Sequence, residues 1–175
     1  MPGLLQVPGY VRGMRTTYGA DASELEIAKH VAFRLGRQKR LTAKPPVLRV
    51  VLNEAVVCRP VGDMAKQLRH LVDMSRRTYL DLRVLPFAVG PHRGMTSPFS
   101  LLTLPDELTP NFVYLEHEDG ALYLERPVDL VRYAGTFETH HGCGALAGRK
   151  TWAKQEGPRD GHNSDDVAQE QAERR

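Results

Sequence analysis

Val47-Leu48-Arg49-Val50-Val51-Leu52 is the stretch on which the fold turns. β-Branched side chains pack well on a pleated backbone, so it reads as a strand buried on at least one face. Pro45-Pro46 stops any helix arriving from the N-terminal side. Asn53 to Cys58 reads as a short helix or turn, closed by Arg59-Pro60. A helix follows over roughly residues 62 to 76, with Met64, Leu68, Leu71 and Val72 on one face and Lys66, Arg69 and Arg76 outside. Leu80 to Phe87 alternates and then turns apolar, as a strand entering a core does.

Upstream, Ser23-Glu24-Leu25-Glu26 is a capping box, and Ile27, Val31 and Leu35 with Ala28 and Ala32 make the apolar stripe of a helix running to about Arg40. Residues 1 to 20, interrupted by Pro2, Pro8 and several glycines, read as an irregular or partly helical lead-in. Downstream, Ala88 to Pro98 is a loop and Phe99 to Leu104 a strand. Phe112 to Glu116 and Ala121 to Glu125 flank the four-residue connection His117-Glu118-Asp119-Gly120 and predict an antiparallel hairpin. Pro127 opens a last helix with Val128, Val131 and Tyr133, whose pattern fades near Phe137. From His140 to Arg175 there is one tryptophan, Trp152, and few aliphatics, a composition that buries too little to offset chain entropy. The expectation is one domain over residues 1–138 and a disordered tail over 139–175, so that truncation after His140 leaves the melting temperature nearly unchanged. The fold class is α+β or α/β: a mixed β-sheet flanked by helices, with a C-terminal hairpin and closing helix.

With 41% apolar residues the chain can bury a normal core, and no run approaches a membrane-spanning length. The N-terminus lacks the basic region and apolar stretch of a secretory leader, which points to the cytoplasm. Cys58 and Cys143 are too few for a disulfide framework, and both are expected as reduced thiols. Net charge is only +3, and the densest cluster (Arg34, Arg37, Lys39, Arg40) sits where cations complement a helix C-terminus. His140-His141-Gly142-Cys143 carries zinc-type ligands, but a structural site needs four on a rigid frame, so these side chains are expected in solvent and no metal or cofactor is expected. Cys58 reads as a small buried hydrophobe. Ser97 and Ser100 lack a nucleophile elbow, and no phosphate-binding, dinucleotide-binding, zinc-protease or EF-hand pattern occurs, so the chain is not expected to be an enzyme.

The residues left for function are Glu54 and Arg59, flanking the turn after the first strand, and His92 and Arg93, in the glycine- and proline-rich loop after the second. If those strands are parallel neighbours, both exits lie at one sheet edge, where α/β folds bind ligands. A carboxylate, two guanidiniums and an imidazole then converge on a polar recess walled by Phe87 and Phe99, suited to a polar metabolite or a partner's side chain. The alternative is that Glu54 and Arg59 pair with each other and the loop residues serve only the turn.

The order and spacing of several stretches carry a family resemblance. They are Pro2 to Tyr10, Arg34-Leu35-Gly36-Arg37-Gln38, Val50 to Ala55, Arg59-Pro60-Val61-Gly62 and Gln67 to Leu71. Val84-Leu85-Pro86-Phe87 with Gly90 and His92, Ser97-Pro98-Phe99, Val113 to Glu116 and Leu122 to Glu125 complete the set. Together they resemble the C-terminal domain of unknown function that follows an Xre-type helix-turn-helix in actinobacterial, antitoxin-like transcriptional regulators. The resemblance spans about residues 2 to 138 and implies a regulatory or sensor domain that engages a small protein partner encoded nearby or a small polar effector. It implies no membrane contact and no specific DNA binding by this chain, which starts where the family's helix-turn-helix normally ends. Asn53 stands where the family usually has Asp and Cys58 where it has Arg, and the tail departs from the family's longer closing helix, as a stand-alone adaptor, a frameshift or a non-functional remnant would. The segment from Leu80 to Leu104 also resembles phospholipase-D-like sensor folds, but the catalytic His-x-Lys of those enzymes is absent.

Overall fold

A computed structural model describes residues 1–18, 22–43, 45–105, 109–117 and 120–147. A 3₁₀ turn at Gly3–Leu5 leads into helices α1 (Pro8–Tyr18), α2 (Glu24–Gln38) and the single turn α3 (Arg40–Ala43). Strand β1 (Leu48–Asn53) is followed by helices α4 (Glu54–Cys58) and α5 (Met64–Met74) and by strand β2 (Leu80–Leu85). Strands β3 (Phe99–Leu102), β4 (Phe112–His117) and β5 (Gly120–Leu124), helix α6 (Pro127–Cys143) and the short strand β6 (Ala145–Leu146) complete the order. No helix among the described residues is long and apolar enough to cross a membrane.

The strands form two three-stranded sheets, giving the expected mixture of helix and sheet. In the first, β1 and β2 run parallel, in register from Leu48↔Leu80 to Asn53↔Leu85, and β6 adds antiparallel to the free side of β2. The second, β3-β4-β5, is antiparallel throughout. Alternation gives the first sheet two unlike faces. Leu52, Leu80, Leu82 and Val84 point to one side and meet Leu5 and Leu71, forming the apolar core. Arg49, Asp81 and Arg83 occupy alternate positions and meet α6. Helix α6 also touches β3 and β4, where Phe99 packs edge-on against Tyr133 with ring centres 4.9 Å apart.

The N-terminal lead-in is partly helical, as one of the two expectations had it, and it is part of this core. Leu5 is fully buried, and Gln67 of α5, also fully buried, accepts from the Val7 backbone N–H (2.8 Å) and donates to the Leu5 carbonyl (2.6 Å). Gln38 of α2 donates to the Gly3 and Gln6 carbonyls. Pro8 opens α1 instead of interrupting a helix, since a first-turn proline lacks only an N–H that would have no helical partner. The glycines of α1 serve a backbone crossing. A Cβ on Gly13 would lie 2.5 Å from the Gly62 nitrogen, and Gly62 itself sits at φ +51.

Four further expectations need correction. The capping box at Ser23 and Glu26 is present, but the buried side of α5 is centred on Gln67 and Leu71, with Leu68 and Val72 exposed, because a glutamine serving the N-terminal segment occupies the inner position. The hairpin register pairs His117 with Gly120, leaving two residues in the connection rather than four; those two lie outside the described residues. Cys58 is exposed, not buried. Most consequential, α6 does not fade at Phe137 but runs to Cys143, and β6 continues the sheet, with Ala147 donating to the Leu82 carbonyl (3.0 Å). Residues 139–147 therefore belong to the domain; the rest of the expected tail lies outside the described residues.

Candidate functional site

β1 and β2 end side by side, so the turns leaving them meet at one edge. Asn53 caps α4, its side-chain oxygen accepting from the Ala55 N–H at 2.9 Å. That leaves the Asn53 amide nitrogen to face His92 Nε2, 3.2 Å away. Since the amide nitrogen can only donate, Nε2 accepts, and the neutral ring carries its proton on Nδ1. Nδ1 is buried with no hydrogen-bond partner among the described residues. Glu54 ties the same two turns together: its carboxylate accepts from the Phe87 backbone N–H at 2.6 Å.

The loop from Val89 to Arg93 faces α6 across an open recess of about 590 Å³. The helix contributes Arg132, Thr136, Thr139, His140 and Cys143, whose spacing places them on one face, with Val131 and Gly135 beside them. Val89, Pro91 and Val131 supply apolar wall. His92 and His140 meet edge to face with ring centres 4.8 Å apart. Gly94 lets the loop lie over both rings, since a Cβ there would fall 3.1 Å from His140 Cε1 and 3.2 Å from His92 Nδ1. Burial holds the His140 imidazole below its ordinary pKa, and the neighbouring His92 adds to that effect.

Among the described residues that line the recess there is no carboxylate; the nearest counter-charge is Asp129, bonded to Arg132. Arg132 donates from one guanidinium nitrogen to Asp129 (3.0 Å) and lies over the Tyr133 ring, and its other N–H groups have no partner among the described residues. Asp129, nearly fully buried, also accepts from Arg126 (2.7 Å). Arg93 is exposed and has no side-chain partner among the described residues. Thr136 and Thr139 donate to the Arg132 and Gly135 carbonyls, which leaves their oxygens able to accept. Cys143 is exposed, and no hydrogen bond joins it to either imidazole among the described residues.

His141, next along the helix, faces the other way and belongs to the sheet. Its Nδ1 accepts from Arg49 (3.2 Å), so Nε2 carries the proton donated to Asp81 (2.8 Å). Arg83 bonds Asp81 and donates to the His141 carbonyl (3.0 Å), while Arg49 also pairs with Glu138 and lies over Phe137. Burial alone would raise the Asp81 pKa, but hydrogen bonds from Arg83 and His141, with the Arg83 charge, outweigh it and hold the carboxyl below the usual range. With both ring nitrogens engaged, His141 fastens α6 to the sheet and is not free to move protons.

Of the four residues singled out from sequence, His92 and Arg93 line the recess. Glu54 shares the sheet edge but is spent on the Phe87 N–H. Arg59 is exposed, outside the recess, and forms no ion pair with Glu54. Phe87 is 61% exposed and Phe99 packs on Tyr133, so neither is a wall. Arg132, Thr136, Thr139, His140 and Cys143 were not expected at this site, and both histidines were expected in solvent, whereas each is 8% exposed. Tyr133, Phe137 and His140-His141 do recur at helical spacing; the signal was there for anyone counting histidine as a core-facing residue. Among the described residues no three His, Cys, Asp or Glu side chains are grouped to hold a metal ion.

No curated protein and no solved structure matches the chain. A family model, described as a domain of unknown function (DUF5753), matches residues 1–143, from the first residue to the last turn of α6, and the chain belongs to that family.

Proposed function

We propose that this chain is the effector- or partner-binding domain of an Xre-type, antitoxin-like transcriptional regulator, acting in the cytoplasm and leaving DNA recognition to a separate helix-turn-helix. The observation that carries this reading is the open recess between the β2–β3 loop and α6. It offers two guanidiniums, two imidazoles and an apolar wall, which is the equipment of recognition. The thiol at its edge, Cys143, has no base hydrogen-bonded to it, and the Thr136 and Thr139 hydroxyls donate to backbone carbonyls, so among the described residues binding without catalysis fits the lining better than turnover does. A gel shift with the DNA upstream of its own gene, at physiological salt, tests the division of labour. The chain alone should give no sequence-specific retention; specific submicromolar binding would refute the proposal.

A further inference from the structure

The lining of the recess narrows the class of ligand. Arg93 projects from a 3₁₀ turn with no side-chain partner among the described residues, and Arg132 stands on the facing helix with donors to spare. Thr136, Thr139 and His140 line the α6 side of the same recess, and His92 lines the loop side. Asp129 already pairs with Arg132 but takes only one of its nitrogens, and Arg93 has no side-chain partner among the described residues, so an oxyanion can accept from Arg93 and from the remaining Arg132 donors, which a neutral ligand matches less well. Gly135 also lines the recess, and a Cβ there would meet nothing within 4 Å, so a larger side chain at this position would project into open space.

We infer that the recess binds an oxyanion, the carboxylate or phosphate of a small ligand, between Arg93 and Arg132, with the ligand's apolar part against Val89, Pro91 and Val131. This rests on the recess being the sensing site, and it adds the chemistry of what is sensed. The probes are benzoate, its neutral isostere benzamide, and inorganic phosphate, each titrated calorimetrically into the full chain at matched ionic strength. Benzoate or phosphate should bind measurably and benzamide should not. A stronger response to phosphate assigns a phosphate ligand, and a stronger response to benzoate a carboxylate. Arg93→Ala, which removes an exposed and unpartnered side chain, should weaken anion binding at least about tenfold, as loss of a charge-assisted hydrogen bond does. Gly135→Leu, filling the recess from the helix, should abolish it while leaving the circular dichroism spectrum unchanged. Equal binding of benzoate and benzamide, no binding of either anion, or equal anion binding by wild type and Arg93→Ala overturns the inference. Any of these leaves the sensing role standing, whereas specific DNA binding in the gel shift removes that role and leaves the anion result intact.

Discussion

One face of the β1–β2 pair closes with Leu52, Leu80, Leu82 and Val84 against Leu5 and Leu71; the other presents Arg49, Asp81 and Arg83 to Glu138 and His141 of α6. The apolar face gains by removing surface from water and depends little on the identity of each neighbour. The polar face works the opposite way. Asp81 and Arg83 are partly withdrawn from water and pair with each other, while Arg49 and Glu138 pair at the exposed surface, so the network adds little net stability but fixes where α6 lies. That placement matters because α6 carries His140 and Arg132 to the loop bearing His92 and Arg93. One face holds the domain together, and the other sets the geometry of the recess.

The sharpest way to break this contrast is to cut into the apolar side. Leu82→Ala, at a side chain only 2% exposed, should cost about 2–5 kcal/mol in urea unfolding. A cost under about 1 kcal/mol would mean that the core is not where stability resides.

The next effect in size lies on the α6 side. Ending the chain after His140 deletes His141, its bond to Asp81 and all of β6, whereas ending it after Ala147 keeps them. The shorter chain should melt roughly 5 °C or more below the longer one. Equal melting would show that the last turn of α6 and β6 are not structural.

A smaller effect separates the two faces by pH. Burial holds His30, His70 and His140 below the ordinary imidazole value of 6.5. Near and below that pH the unfolded chain takes up protons that the folded chain resists, so stability is full above about pH 6.5 and declines as pH falls. Asp81 and Glu138, held low chiefly by their bonds to Arg83, His141 and Arg49, lose their partners' benefit only at more acid pH and do not blur this window. Thermal melts from pH 7.5 to 5.5 should show a falling midpoint, less steep in His140→Gln. A midpoint that rises toward pH 5.5 would contradict the burial of these rings.

The apolar face was legible in the sequence because its signals are aliphatic and periodic. Val47 to Leu52 and Leu80 to Phe87 announced two strands, whose parallel pairing stood only as a condition, and Ser23 with Glu26 announced α2. What escaped was whatever the chain builds from polar or small residues. Gln67 fills a core position that an apolar pattern assigns to leucine, and Gly13 with Gly62 forms a crossing that reads locally as chain breaking. The last turns of α6 bury histidines, and the two residues of β6 are too few for any period. The candidate site followed the same division. Its loop half, His92 and Arg93, was read from chain punctuation and sheet topology; its helix half went unread, because the histidines were not counted toward the helical pattern and α6 was taken to fade near Phe137.

The most direct test of the account is an amide chemical-shift titration of the isotopically labelled chain with benzoate. Perturbations should concentrate at residues 89–93 and 131–143, the two walls of the recess. Perturbations gathered instead at the basic end of α2, or spread evenly over the surface, would mean that loop and helix do not form a binding site.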